Sequence, residues 1–252
     1  MRYDPEIALR LALLSDCAYA DTGSGEAEEA AERLTGADQA IGIDFGSVEI
    51  VVARYGFDVA LAFRGSSEPD DFLHDLRIGL VERDSLPGRT HRGFAAGVLD
   101  TYEPTREVVE GLLGVDGFLD VGGHSKGGAE ALLMSYLFKK FFGPSFRTCH
   151  TFGAPAVGDK DFAKDFDRAI PETFSHVFGS DLVARSPVLL RAFGVYARTG
   201  RTVYHTRSGR ILFRPSPIRS FLDGVRGVSR RLGRRDHGLG NYVDSLERGG
   251  RR

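Results

Sequence analysis

Ser125 lies at the centre of Gly123-His124-Ser125-Lys126-Gly127, a serine with a glycine two places to either side. A serine hydroxyl is a poor nucleophile at neutral pH and becomes a useful one only beside a base. It must also be projected from the backbone on a sharp turn between a strand and a helix, where flanking glycines let neighbouring backbone approach closely. The helix that follows such a turn aims its free amide groups at a developing oxyanion. Two glycines around a serine also arise by chance in a chain holding 32 glycines. The context favours chemistry, because residues 118–121 read as a short buried strand and residues 129–142 as a mostly apolar helix.

Such a serine needs a histidine base and a carboxylate that fixes the histidine tautomer, and on this kind of turn the chain order is serine, then Asp or Glu, then His. Of the seven histidines, His74, His91 and His124 precede or adjoin the serine, while His150 and His176 fall in expected strands with no carboxylate before them. These read as structural. His205 and His237 remain, and His237 is preferred because it lies in the polar loop Arg234-Arg235-Asp236-His237-Gly238, just before an expected final helix at 241–246, rather than in a hairpin. Asp181 follows an expected strand at 174–178 through Gly179-Ser180, which puts its carboxylate at the carboxyl end of a sheet, where sites form. Asp159, Asp161 and Asp165 read as the solvated face of a helix. Asp236 competes through its adjacency to His237, but sequence neighbours rarely face each other productively. The candidate set is Ser125, Asp181 and His237.

The elements that must position these residues are legible as patterns. Ile7, Leu11, Leu14 and Ala18 recur at helical spacing over 5–20, followed by a polar connector rich in Ala, Glu and Gly. Apolar runs at 48–53 and 59–63 flank Gly56-Phe57-Asp58 and read as adjacent strands joined by a tight turn. A polar stretch leads to an expected helix at 94–113. Strands at 147–152 and 174–178 separated by a helix at 160–170 give the βαβ rhythm of a parallel sheet. Residues 203–205 and 211–213 flank Arg207-Ser208-Gly209 as a hairpin. The expectation is an α/β fold in one domain over 1–252.

Composition bounds the function. A chain of 252 residues with 42% hydrophobic and 27% charged residues can bury a large core and is neither disordered nor fibrous. A net charge of −2 gives no global reason to bind nucleic acid. Two cysteines, Cys17 and Cys149, do not make a disulfide scaffold and are expected as buried free thiols. The start lacks a basic-then-apolar leader and no run reaches the roughly 18 apolar residues that span a bilayer, so a cytoplasmic location is expected. Charge is uneven, however. Ile218, Phe221, Leu222, Val225, Val228 and Leu232 recur at helical spacing with Arg219, Arg226 and Arg230 between them. Segment 216–235 therefore reads as a basic amphipathic helix, packed on the core in the preferred reading and contacting an anionic membrane surface or capping the site in the alternative.

With these residues placed, the chain resembles the class 3 lipase family, which contains the fungal triacylglycerol lipases. The resemblance rests on Ala62-Phe63-Arg64-Gly65-Ser66, His91-Arg92-Gly93-Phe94, Gly123-His124-Ser125-Lys126-Gly127-Gly128, Phe152-Gly153-Ala154-Pro155-Ala156-Val157-Gly158 and Asp181-Leu182-Val183, in that order along most of the chain. It implies an α/β-hydrolase fold with a single mostly parallel central sheet flanked by helices. It implies cleavage of carboxylic esters through an acyl-enzyme, an ester or lipid substrate, and neither metal nor organic cofactor. It also implies that Ser66 and Lys126 supply oxyanion amides, Ser66 with its hydroxyl as well. Two departures bear on substrate. The family usually has an apolar residue where Lys126 stands, and the segment after Ser66, where the family carries an apolar lid, is the acidic Glu68-Pro69-Asp70-Asp71-Phe72-Leu73-His74-Asp75-Leu76. Both shift the expectation from an oil-surface lipase toward an esterase or a phospholipase A-type enzyme. A catalytically silent lipase-like scaffold and an acyltransferase using the same residues are the alternatives.

Overall fold

The computed structural model describes residues 3–66, 79–185, 196–213 and 236–250. The acidic segment 68–76 and the basic segment 216–235 lie outside the described residues. In chain order the elements are α1 (Pro5–Cys17), α2 (Glu26–Thr35), β1 (Gln39–Asp44), β2 (Glu49–Tyr55), β3 (Asp58–Phe63), β4 (Leu80–Arg83) and β5 (Leu86–His91). Then come α3 (Arg92–Leu112), β6 (Leu119–His124), α4 (Lys126–Phe142), β7 (Phe146–Phe152), α5 (Lys160–Ala169), β8 (Thr173–Phe178), the one-turn α6 (Leu182–Arg185), β9 (Arg201–His205), β10 (Ile211–Phe213) and α7 (Leu239–Gly250).

Eight strands form one sheet in the order β1-β2-β3-β6-β7-β8-β9-β10. The five central strands β3, β6, β7, β8 and β9 are parallel, and antiparallel partners close both edges. This is the expected mostly parallel sheet. The short period of a strand sorts its side chains to two faces. Ile50, Val52, Val59, Leu61 and Phe63 join a core with residues of α3, α4 and α5. Their alternates Val51, Ala53, Ala60 and Ala62 join a second core with α1, α2 and α7. Helix α4 is apolar nearly all round and correspondingly buried against β6 and β7. Among the described residues no helix is long and apolar enough to cross a membrane.

Two stretches hold more structure than their polarity suggested. The connector after α1 contains α2 and β1. Helix α2 buries only Ala27 and Ala31, and its acidic first turn, Glu26, Glu28 and Glu29, faces the positive end of the helix dipole. No large side chain marks its inner face, so hydrophobic spacing could not reveal it. The polar stretch after Ser66 contains the β4–β5 hairpin, whose Glu82, Arg83 and Arg89 obscure the alternation. Asp159 is also more than a solvated face. It caps α5, accepting from the Phe162 amide at 3.0 Å, and pairs with Arg89 at 3.0 Å while almost fully buried.

Three buried imidazoles cross the sheet in file. His150 Nδ1 lies 3.0 Å from His176 Nε2, His176 Nδ1 lies 2.8 Å from His205 Nε2, and His205 Nδ1 lies 2.9 Å from Ser245 Oγ. A neutral imidazole donates from one nitrogen and accepts at the other, so the row is satisfied only while all three rings are neutral. Burial pushes His150 and His205 down to about 3 and holds His176 well below its ordinary value, with the neighbouring rings adding to the effect. The unfolded chain takes up protons on these rings near pH 6.5, whereas the folded chain does not. Stability is therefore complete above pH 6.5 and is lost as pH falls toward 3. Between pH 6.5 and 5, where unfolded carboxylates scarcely titrate, each ring should cost about 16-fold in the folding equilibrium, roughly fivefold of it in the first pH unit. Melting temperature followed across that range should fall steeply in the wild type and less steeply in His150→Gln; equal slopes would remove the imidazole row as the cause.

Candidate active site

The register of the sheet brings the sequence candidates together. Phe63 of β3 pairs with Gly123 of β6, and His124 of β6 pairs with Phe152 of β7, so the carboxyl ends of these strands lie side by side. Arg64-Gly65-Ser66 thus leaves β3 next to Ser125. A Cβ built on Gly65 would lie 3.1 Å from the Ser125 Cβ and 2.8 Å from the His124 carbonyl. Ser66 and Lys126, the expected oxyanion residues, line one common cleft.

Ser125 occupies the step from β6 into α4 with φ 54° and ψ −122°, a region that a residue with a side chain rarely enters. Its amide donates to the Phe152 carbonyl at 2.9 Å, which helps to hold the strained turn. The two glycines of the motif have the predicted purpose. A Cβ at Gly123 would lie 2.3 Å from the Gly127 carbonyl oxygen, and one at Gly127 would lie 2.3 Å from that of Phe63. Strand, turn and helix can meet this closely only where both positions lack a side chain.

His237 Nε2 lies 2.9 Å from Ser125 Oγ, and its Nδ1 lies 3.0 Å from each carboxylate oxygen of Asp181. An ionised carboxylate only accepts, so Nδ1 carries the proton and Nε2 is left to accept from the serine hydroxyl. All three residues are buried. Asp181 Oδ1 also accepts from the Val183 and Ala184 amides at 2.9 and 3.1 Å, the free donors at the start of α6. Gly153 sits against this pair: a Cβ there would be 2.7 Å from Asp181 Oδ2 and 3.0 Å from His237 Nδ1.

Three further residues belong to the arrangement and were not singled out in sequence. Tyr242, from α7, donates its hydroxyl to Asp181 Oδ2 at 2.6 Å and accepts from the Phe178 amide at 3.1 Å. Burial, reinforced by Asp181, holds the Tyr242 phenol well above its ordinary value, so it remains a donor. His124 Nε2 lies 2.8 Å from the His237 carbonyl oxygen, and its Nδ1 lies 2.6 Å from the Tyr19 hydroxyl. A carbonyl only accepts, so His124 donates from Nε2 and accepts from Tyr19 at Nδ1. Burial, with His237 adding to it, lowers His124 to about 3 and keeps it neutral. The motif histidine thus holds the backbone of His237. A tyrosine near the end of α1 and one inside α7 carry no local motif, and only the tertiary fold reveals them.

The remaining candidates are used elsewhere. His205 is consumed in the imidazole row. Asp236 faces away from the His237 ring and accepts from the Ser180 amide at 2.7 Å and from Arg207 Nη2 at 2.5 Å, fastening the loop that carries His237. His91 caps α3, its Nδ1 accepting from the Phe94 amide. Both cysteines are buried and free. Among the described residues no cluster of His, Cys, Asp and Glu could hold a metal ion.

A mostly parallel sheet with helices on both faces, and a Ser–His–Asp array at the carboxyl ends of its strands, define an α/β-hydrolase. The family model described as Lipase (class 3) matches residues 60–190, just over half of the chain. The chain belongs to the class 3 lipase family. Its fold is shared with a lipase from Rhizopus microsporus var. chinensis, at a TM-score of 0.68 and 23% identity over 79% of this chain and 73% of that one. It is shared likewise with the native propeptide complex of Rhizomucor miehei lipase, at 0.64 and 23% over 82% and 70%, and with a mutant of MDLA from Penicillium cyclopium, at 0.70 and 20% over 96% of each. Toxin TseL of Vibrio cholerae serotype O1 is 37% identical over 160 residues, 58% of this chain and 23% of that protein. The chain thus spans about a quarter of the length of that curated relative.

Tyr242→Phe keeps the ring and removes one donor from a buried carboxylate. It should cost about 1.5–3 kcal/mol of stability in denaturant unfolding. A loss below about 0.5 kcal/mol, within the range of an ordinary surface change, would mean that the hydroxyl does not support Asp181.

Proposed function

We propose that the protein hydrolyses carboxylic esters of lipid type through an acyl-enzyme. Ser125 is the nucleophile, His237 the base that takes its proton and later returns it to the leaving alcohol, and Asp181 the group that orients the imidazole. The observation that carries this reading is the continuous line Ser125 Oγ–His237 Nε2 at 2.9 Å and His237 Nδ1–Asp181 at 3.0 Å. Attack makes a tetrahedral oxyanion, which the amide of Lys126, at the start of α4, and the amide of Ser66 are suited to receive. The geometry of the Ser66 turn against Ser125 supports that pairing. Water then attacks the ester of Ser125 with His237 as base, releasing the acid.

The Lys126 side chain lies away from the reacting hydroxyl: its ammonium donates to the Ser47 carbonyl at 2.7 Å and pairs with Glu130 at 2.6 Å. Any amino acid other than proline supplies the same backbone amide, so the departure at Lys126 leaves the oxyanion role intact and puts charged groups on one wall of the neighbouring cleft. That polarity favours an esterase or a phospholipid-acting enzyme over one that cleaves wholly apolar esters.

A fluorophosphonate probe should label the wild type at Ser125, located by peptide mass spectrometry. Ser125→Ala and His237→Ala should each lower turnover of a nitrophenyl butanoate by about 10⁴-fold or more, and the double variant little further, because the residues act as one unit. Labelling absent from a folded wild type, or unchanged turnover in Ser125→Ala, refutes the proposal.

A further inference from the structure

The Tyr19 hydroxyl stands between the two halves of the site. On one side it donates to His124 Nδ1 at 2.6 Å, and His124 Nε2 in turn donates to the His237 carbonyl oxygen at 2.8 Å. On the other side it packs on the turn that carries Ser66. A Cβ built on Gly65 would lie 2.2 Å from the Tyr19 oxygen, and the Gly65 amide donates to that oxygen. The Arg64 guanidinium, paired with Glu49, stands 5.8 Å from the centre of the Tyr19 ring. Tyr19 is itself anchored, because its amide donates to the Asp16 carbonyl at 3.0 Å in the turn that ends α1.

These bonds leave one arrangement of protons. Burial holds the Tyr19 phenol well above its ordinary value, so the hydroxyl keeps its proton and has one to give. It goes to His124, since a backbone amide only donates. His124 then carries its own proton on Nε2, facing a carbonyl that only accepts. The other tautomer would set a bare Nε2 against that carbonyl oxygen at 2.8 Å and turn a proton toward the Tyr19 hydroxyl. The His124 and His237 rings lie 4.8 Å apart, centre to centre, and burial keeps His124 neutral. It therefore adds no charge beside an imidazole that must take up a proton.

We infer that Tyr19 and His124 are positioning residues for ester cleavage at Ser125, one hydroxyl setting both the Gly65-Ser66 oxyanion turn and the main chain of His237 to a single reference point. The inference rests on Ser125 being the acyl-transfer nucleophile. The base must reach Ser125 Oγ while the Ser66 amide reaches the oxyanion of the same carbonyl, and a misplacement of about 1 Å costs about a hundredfold in rate. Asp181 holds His237 by its ring, and the line from Tyr19 through His124 holds it by its backbone. Removing the Tyr19 hydroxyl takes the donor from a buried Nδ1 and loosens the turn and the carbonyl together.

Tyr19→Phe keeps the ring beside Arg64 and removes the hydroxyl. A fluorophosphonate should still label Ser125 of this variant to the full wild-type stoichiometry, but about tenfold or more slowly. Its kcat for nitrophenyl butanoate should fall by about tenfold to a hundredfold with little change of KM. Structural damage reads differently: it lowers the fraction of chains that label and leaves the rate of the remainder alone. His124→Gln can still donate to the His237 carbonyl and should label about threefold or more faster than His124→Leu. In the double variant Tyr19→Phe, His124→Leu the loss should fall short of the product of the single losses by about threefold or more, because one line carries both. Should Tyr19→Phe not fold, the comparison of His124→Gln with His124→Leu decides alone. The positioning role is overturned by a labelling rate in Tyr19→Phe within about twofold of wild type, by a loss confined to the labelled fraction, by equal rates in the two His124 variants, or by single losses that multiply. A folded wild type that takes no label overturns the acyl-enzyme reading, and this inference with it.

Discussion

A carboxylate with no solvent exposure is tolerable only when each of its lone pairs is met, and Asp181 is the place where this protein satisfies that constraint. The donors come from distant parts of the chain. The first-turn amides of α6 lie next to it, the imidazole of His237 comes from the loop 56 residues on, and the phenol of Tyr242 from α7. Each bond fixes the position of the element that supplies it. The orientation of His237, and with it the ring nitrogen set against Ser125, follows from solvating one buried charge.

A second constraint acts from the other side. Ser125 is held in a backbone conformation that its side chain disfavours, and the cost is sustained because β6, α4 and the end of β3 close around it with almost no space to relax. The strain and the buried carboxylate are coupled through His124. That residue precedes the strained serine, yet its ring holds the backbone carbonyl of His237 and is itself held by Tyr19. Ser125 and His237 are thereby tied together through the main chain as well as through the hydrogen bond between their side chains.

Much of this was legible from residue order. Ser125 announced itself through two glycines whose absence of side chains the geometry requires, and Asp181 and His237 followed from position relative to strands and loops. Strand β3 was visible as a continuous apolar run, and β6, β7 and β8 as short stretches of apolar, Thr and His residues bounded by glycine turns and helical patterns. Other parts left no local trace. Helix α2 packs through alanines and the β4–β5 hairpin is broken by Glu82, Arg83, Arg89 and Pro87-Gly88, so neither shows a hydrophobic period. Tyr19, Tyr242 and the neighbours of Asp236 act through contacts between residues far apart in sequence, which spacing cannot encode. Asp159 misled for a related reason: a capping aspartate and a solvated one look alike until the first turn of the helix is seen to donate to it.

Tyr19 stands just beyond α1 and Tyr242 within α7, and those two helices pack against each other under the sheet. The site is therefore closed by segments that lie more than 200 residues apart in the chain. The imidazole of His237, the Tyr242 hydroxyl on Asp181 and the bond from His124 to the His237 carbonyl are all assembled only when the region from Asp236 onward docks. The geometry around Ser125 is in that sense a product of the whole fold: without the region from Asp236 onward the strained serine has no imidazole held against it.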